Sequence, residues 1–188
     1  MTANHTRLVV LLSAILAAAA LRLVPHPPNF TPIAAMALFG GAYLPRRSLA
    51  FVAPLAALLL SDLILGFYHG MAFVYATTAL VVLIGWWLSS RRTPLRIGAA
   101  ALVSSAVFFV VTNFGMWLFS GFYPLTPAGL AACYVAAIPF FQNTIAGDLF
   151  YAAVLFGGFA LLERAVPALR AERRPPDPPL VATFRSNR

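Results

Sequence analysis

Apolar stretches of helical length follow one another along almost the whole chain, separated by short segments rich in proline or arginine. A helix needs about 20 apolar residues to cross the hydrocarbon core of a bilayer, which is about 30 Å thick. Most of the stretches reach or approach that length, so the pattern predicts an all-α integral membrane protein with six transmembrane helices. The predicted helices are Leu8–Val24, Pro32–Leu44, Leu49–Phe67, Met71–Leu88, Arg96–Phe119 and Thr144–Glu163.

The composition agrees with a chain that folds in lipid. Of the 188 residues, 61% are apolar and 10% are charged, whereas soluble domains have about 45–50% and about 25%. A single cysteine excludes a disulfide scaffold. The net charge of +8 comes from thirteen arginines, and their positions beside the apolar stretches indicate membrane topology rather than binding to nucleic acid.

The first apolar stretch can also be interpreted as a signal peptide, with Arg7 as its basic start and the alanines at 17–20 as a cleavage region. Its removal would leave an odd number of spans, so we favour a membrane helix. The proline-rich linker at 25–32 then leads to the short second helix. Thr31 and Pro32 have the residue types of an N-cap and a first helical residue.

The segment before the last span carries no charge. Thr126 and Pro127 predict the start of a helix, and Pro139 predicts a break. The stretch between them is too short to span, which predicts an extra interfacial or re-entrant helix. The end of the chain is rich in proline and arginine, a composition typical of disorder. We therefore divide the chain into a six-helix membrane domain, residues 1–163, and a disordered cytoplasmic tail, residues 164–188.

The arginines predict the orientation of the helices. If the N-terminus lies inside, twelve arginines fall in inner segments and Arg22 alone falls in an outer segment. Cytoplasmic segments carry an excess of basic residues, so we predict six spans with both termini in the cytoplasm. A seventh crossing at 127–141 would place the arginines of the tail outside, which argues against it.

With this orientation, nearly all polar side chains available for chemistry lie in the outer half of the membrane. A carboxylate in the bilayer costs about 2.5–3.5 kcal/mol and usually faces the bundle interior. Asp62 and Asp148 either hydrogen-bond neighbouring helices or line a pocket. Because polar and aromatic side chains occur together in this outer half, we favour a small-molecule pocket for the group as a whole. The predicted substrate-binding residues are Asn29, Phe30, Thr31, Asp62, Asn113, Trp117, Tyr123, Gln142, Asn143, Asp148 and Tyr151.

Other residues give weaker signals. His26 and His69 lack the spacing of a metal motif, and Cys133 is more typical of a small buried residue than of a nucleophile. The sequence contains no catalytic or nucleotide-binding motif, so we predict neither an enzyme nor a bound cofactor or metal. Ala14 and Ala18 form a small-residue face, which packs closely against another helix of the bundle or of a partner.

Four stretches of the sequence resemble a bacterial family of small membrane proteins that are labelled as transport proteins. They contain NFTP in the first linker, SDL in the third span, TNFG in the fifth and IPFFQNTIAGDLF at the start of the last. The family is similar in size, span number and topology to the substrate-binding S components of energy-coupling-factor transporters. This similarity implies a subunit of the bacterial inner membrane that captures a vitamin or related micronutrient outside. It also implies docking through Ala14 and Ala18 onto an energising module with ATPases.

Three functions remain open on the sequence. The first is capture of a small organic molecule for uptake, with energy from a partner ATPase. The second is an ion-coupled carrier in which Asp62 and Asp148 bind a proton or a sodium ion. The third is a membrane assembly scaffold that uses its spans as an interface. We favour the first, although neither the substrate nor the energy source follows from the sequence.

Overall fold

The structure is a computed structural model that describes residues 3–170. All regular secondary structure within these residues is helical. The last helix is continuous from residue 127 to residue 165 and contains a π-helical segment, Ala153–Gly157. The helices are α1 (Ala3–Leu21), α2 (Ile33–Tyr43), α3 (Arg47–Leu65), α4 (Met71–Leu88), α5 (Pro94–Phe119), α6 (Pro127–Ala152) and α7 (Gly158–Ala165), with a final 3-10 turn at Pro167–Leu169.

Five helical segments of the described chain are long and apolar enough to cross a membrane. They are α1, α3, α4, α5 and the continuous helix Pro127–Ala165. The sixth predicted span corresponds to α2, which has 11 residues. At about 1.5 Å per residue it covers about 16 Å, roughly half of the hydrocarbon thickness. For five of the six predicted stretches, the structure therefore contains a helix that is long and apolar enough to span a membrane.

The short helix α2 lies at the centre of the bundle. All residues from Ile33 to Ala42 are buried, and α2 contacts each of α1, α3, α4, α5 and α6. It crosses α4 closely at two glycines. A Cβ on Gly41 would lie 2.2 Å from the carbonyl oxygen of Val82, and one on Gly85 would lie 2.3 Å from that of Leu38. Only hydrogen fits at these positions, so the two backbones pack directly against each other.

Arginines gather at one end of the bundle. Arg7, at the start of α1, forms an ion pair of 2.6 Å with Glu163 at the end of α7. Arg7 and Arg92 both lie over the ring of Tyr43, which ends α2. The starts of α1, α3 and α5 and the ends of α2, α4 and α7 therefore meet here, and successive helices alternate in direction. The arginines of this arginine-rich end are Arg7, Arg46, Arg47, Arg91, Arg92, Arg96, Arg164 and Arg170.

The predicted interfacial helix with a break at Pro139 is wrong. The start at Thr126 is confirmed, because its side chain accepts a hydrogen bond of 3.2 Å from the Gly129 amide. However, the helix continues through Pro139 to Ala165. An internal proline removes one backbone hydrogen bond, which transmembrane helices tolerate. The resulting helix has 39 residues. It is about 58 Å long, so it is tilted or extends beyond a hydrocarbon core of about 30 Å.

The prediction of a disordered tail from residue 164 is wrong for its first part. Residues 164–170 complete α7 and form the 3-10 turn. Leu169 is buried, and its carbonyl oxygen accepts a hydrogen bond from Arg7. The rest of the predicted tail, 171–188, lies outside the described residues.

The small-residue face of α1 packs inside the molecule. Ala18 is 3% exposed and belongs to the hydrophobic core together with Leu11 and Ile15. Ala14 is partly buried against the same core. Of the two alternatives for this face, the structure therefore shows packing within the bundle, and Ala18 is not exposed for docking onto a partner helix.

Candidate functional site

A cavity of about 580 Å³ lies at the end of the bundle opposite the arginine-rich end. Its walls come from the α1–α2 linker, the first turn of α2, the turn between α3 and α4, the start of α4, and the facing surfaces of α5 and α6. Sites for small organic molecules have volumes of about 300–1,000 Å³. The cavity is therefore large enough for one such molecule.

Two helices supply the long walls of the cavity. Their lining residues recur every three or four positions, which places them on one face of each helix. On α6 this face passes Pro139 without interruption and extends about 22 Å from Cys133 to Asp148. The lining residues of α5 are Phe108, Phe109, Thr112, Asn113 and Met116. The lining residues of α6 are Cys133, Ala136, Ala137, Phe140, Thr144 and Asp148.

Asp148 is the one carboxylic acid in this wall, and it lies at the inner end of the α6 face. It is 3% exposed, and its Oδ2 accepts a hydrogen bond of 2.6 Å from the hydroxyl of Ser105 on α5. That hydroxyl is also 3.0 Å from the carbonyl oxygen of Ala101, a second acceptor for its one proton. A buried carboxylate with this little hydrogen bonding retains capacity for a further donor.

The turn between α3 and α4 brings Tyr68, His69 and Gly70 to the cavity. Partial burial raises the pKa of the Tyr68 phenol, and the negative charge of Asp62 raises it further. Tyr68 is therefore a neutral hydroxyl at pH 7. Cys133, at the outer end of the α6 face, lies 3.5 Å from the carbonyl oxygen of Asn113. Within residues 3–170, no three or more His, Cys, Asp or Glu side chains come close enough to hold a metal ion.

Asp62, which the sequence predicts as a substrate-binding residue, does not line the cavity. It is fully buried and forms an ion pair of 2.8 Å with Arg22, itself only 8% exposed. The Tyr75 hydroxyl donates a hydrogen bond of 2.9 Å to the other carboxylate oxygen. Arg22 also donates to the hydroxyl of Ser61 and, at 3.4 Å, to the carbonyl oxygen of Leu58. The charge of Asp62 is thus already compensated inside the bundle.

Three other predicted residues do not line the cavity. Phe30, Asn143 and Tyr151 instead hold the α1–α2 linker against α6. The Asn143 amide donates a hydrogen bond of 3.0 Å to the carbonyl oxygen of Pro28. The ring of Phe30 lies 5.5 Å from that of Tyr151. A Cβ on Gly147 would lie 3.1 Å from the Phe30 Cα, so the linker crosses α6 closely at this glycine. These contacts fix the edge of the cavity.

Two predicted residues lie elsewhere, and five line the cavity. The Trp117 indole donates a hydrogen bond of 3.0 Å to the carbonyl oxygen of Pro124 and thereby fixes the α5–α6 loop. Gln142 is exposed outside the wall. The predicted residues that line the cavity are Asn29, Thr31, Asn113, Tyr123 and Asp148.

Several lining residues were not predicted, among them His69, Cys133 and Thr144. The spacing of Cys133, Phe140, Thr144 and Asp148 already indicates a single helix face. That signal is visible only when Pro139 is not interpreted as the end of a helix. For His69, in a turn, the sequence offers no comparable periodicity.

Five apolar helices of spanning length, packed around a buried short helix with a cavity at one end, define a multi-pass helical membrane protein. The sequence matches a family described as "Family of unknown function (DUF6580)" over residues 2–169, and the chain belongs to this family. No curated protein and no solved structure matches the sequence. The similarity to S components of energy-coupling-factor transporters remains a prediction.

Proposed function

We propose that this protein is a membrane transport subunit that captures a small organic micronutrient, such as a vitamin or a precursor of one, in the cavity. The observation that carries the proposal is a cavity of about 580 Å³ with mostly apolar walls and a few polar side chains. This combination is typical of small-molecule sites, in which apolar walls bind the body of the ligand and polar groups orient it. A partner module with ATPases would supply the energy, as it does for the S components that the sequence resembles.

The proposal includes six crossings of the bacterial cytoplasmic membrane, with α2 as a short crossing surrounded by the other helices. The arginine-rich end faces the cytoplasm, in agreement with the excess of basic residues in cytoplasmic segments. Both termini then lie inside, and the cavity faces the outside, where a substrate arrives.

The orientation predicts how single cysteines react in intact cells. Leu95 at the arginine-rich end is 84% exposed, and Leu125 at the cavity end is 64% exposed. In a Cys133→Ala background, a membrane-impermeant maleimide should label Leu125→Cys but not Leu95→Cys until the cells are permeabilised. Gel-shift detection of the label measures this. Labelling of Leu95→Cys alone in intact cells would contradict the orientation.

Substrate capture predicts a ligand that remains bound during purification. Ala137 lines the cavity on α6, whereas Ala132 on the same helix is exposed outside the wall. Ala137→Trp places an indole ring in the cavity, so it should remove most of the bound compound, whereas Ala132→Trp should retain it. Mass spectrometry of small molecules that co-purify with each protein measures the effect. Absence of a ligand from the wild type, or equal retention by both variants, would contradict substrate capture.

A second candidate is an ion-coupled carrier, and the carboxylate of Asp148 favours it. Asp62 is paired with Arg22, so of the two predicted carboxylates Asp148 is the one available to a proton or sodium ion. An ion-coupled carrier predicts that the purified protein in liposomes takes up its substrate when an ion gradient is applied, without any ATPase. An assembly scaffold, the third hypothesis, requires neither a ligand nor transport and tolerates Asp148→Asn.

A further inference from the structure

The two buried aspartates of the bundle differ in how their charge is compensated. Asp62 has its own cation, because Arg22 reaches it within the protein. The ion pairs within residues 3–170, Arg22–Asp62 and Arg7–Glu163, leave Asp148 without a cationic partner. The residues of the cavity wall include no arginine that could approach it. A buried carboxylate in this position needs a cation from elsewhere or must stay neutral.

The size and the lining of the cavity indicate what kind of cation fits. Aromatic rings attract a cation over their faces, and this attraction increases when water is excluded. The volume of about 580 Å³ far exceeds what a bare sodium ion fills, and the mostly apolar walls offer few of the oxygen ligands that such an ion prefers. The aromatic side chains of the wall are Tyr68, Phe108, Phe109, Tyr123 and Phe140.

We propose that the cavity selects an organic cation, whose protonated amine, amidine or quaternary ammonium group pairs with Asp148 while its apolar or aromatic body packs against the rings of the wall. This inference rests on the proposed function and specifies its substrate class. It disfavours a substrate whose only charge is negative, because the cavity wall contains neither arginine nor lysine and places the Asp148 carboxylate beside the ligand.

The charge of the cavity is measurable before the substrate is known. Thr144 lines the cavity one helical turn before Asp148, so their Cβ atoms are about 6 Å apart. We would introduce Thr144→Cys into a Cys133→Ala background and label it at about pH 8.5, where a thiol reacts readily. Three methanethiosulfonate reagents serve as probes: the neutral methyl, the cationic trimethylammonioethyl and the anionic sulfonatoethyl compounds. Leu125→Cys, exposed outside the cavity wall, is the reference site.

We expect the ratio of cationic to anionic labelling rates at residue 144 to exceed that at residue 125 by at least about tenfold. Asp148→Asn should remove this excess when the rates of the charged reagents are each divided by the rate of the neutral reagent, which corrects for a change in the reactivity of the thiol itself. Equal ratios at the two sites overturn the inference, and this comparison does not require the Asp148 variant to fold. If even the neutral reagent fails to label residue 144, the cavity is closed, and the proposed function fails with the inference.

The same cysteine tests the ligand class directly. Probes with a common phenylethyl group, namely 2-phenylethylamine, 2-phenylethanol and 3-phenylpropanoate, would be compared for slowing of the neutral reagent at residue 144. The amine should protect at a concentration at least about tenfold lower than the alcohol, and the carboxylate should not protect. Protection by the alcohol or the carboxylate at the amine's concentration overturns the charge preference but leaves substrate capture intact. Protection by none of them, or by sodium chloride but not potassium chloride, also overturns the inference.

Discussion

Asp62→Ala is expected to lower the free energy of unfolding by about 3–5 kcal/mol, because it leaves a buried guanidinium group without its counter-ion. Arg22 is 8% exposed and would keep uncharged partners such as the Ser61 hydroxyl and the Leu58 carbonyl oxygen. The Tyr75 hydroxyl would also lose its acceptor. The measurement is SDS titration of the purified protein in mixed micelles, followed by circular dichroism.

Two control variants distinguish the cost of a buried charge without a counter-ion from the cost of losing an ion pair in general. The Arg22→Met/Asp62→Leu double variant removes both charges and should recover most of the lost stability, since apolar replacements of buried ion pairs are often neutral or better. Glu163→Gln breaks the more exposed pair with Arg7, whose side chains are 12% and 27% exposed. It should cost at most about 1 kcal/mol. An Asp62→Ala protein as stable as the wild type would show that the buried ion pair does not stabilise the fold.

Gly85→Ala is expected to destabilise the bundle strongly, although it adds only one methyl group. Its Cβ would lie 2.3 Å from the carbonyl oxygen of Leu38, so α2 and α4 would have to separate. Overpacking of a tight interior costs about 1–3 kcal/mol and occasionally more, and we expect the upper end because the obstacle is backbone. Unfolding of the variant in mixed micelles measures the loss.

The matched controls for this substitution are two other glycines. Gly41→Ala, at the same crossing, should destabilise the protein as strongly, because its Cβ would lie 2.2 Å from the Val82 carbonyl oxygen. Gly98 lies in α5 with nothing near its missing Cβ, so Gly98→Ala should stabilise the protein by up to about 1 kcal/mol through helix propensity. Equal effects of Gly85→Ala and Gly98→Ala would mean that the two helices do not approach as closely as described.

The positions of α3, α4 and α5 follow from the sequence because hydrophobic length and helix caps are local signals. The span Met71–Leu88 coincides with α4, and the starts of α3 and α5 differ from their predicted positions by two residues. Thr93 and Thr126 both cap helices as their Thr-Pro pairs indicate. The same pair at residue 31 gives no side-chain cap, and α2 starts after Pro32 instead. There the linker packs onto α6 at Gly147, a tertiary contact that local sequence does not reveal.

The sequence misleads where a tertiary contact outweighs a local preference. Pro139 disfavours helix locally, but the helix continues past it and packs along α5. If Pro139 is interpreted as a helix end, the cavity-lining face of α6 is divided between two predicted elements. The sequence does not reveal the ion-pair partner of Asp62 for a related reason. Arg22 lies 40 positions away in the sequence, and only the packing of α1 against α3 brings the two charges together.

The length and complete burial of α2 have a consequence for how the protein assembles in the membrane. A helix of 11 residues leaves several unpaired backbone groups at each end within hydrocarbon when it inserts alone, and each such group is costly there. Its insertion is therefore stabilised only when neighbouring helices already surround it. During synthesis, α2 emerges before α3 and α4, so its final position depends on segments that the ribosome has not yet made. We therefore expect α2 to reach its buried position only after α3 and α4 have been synthesised.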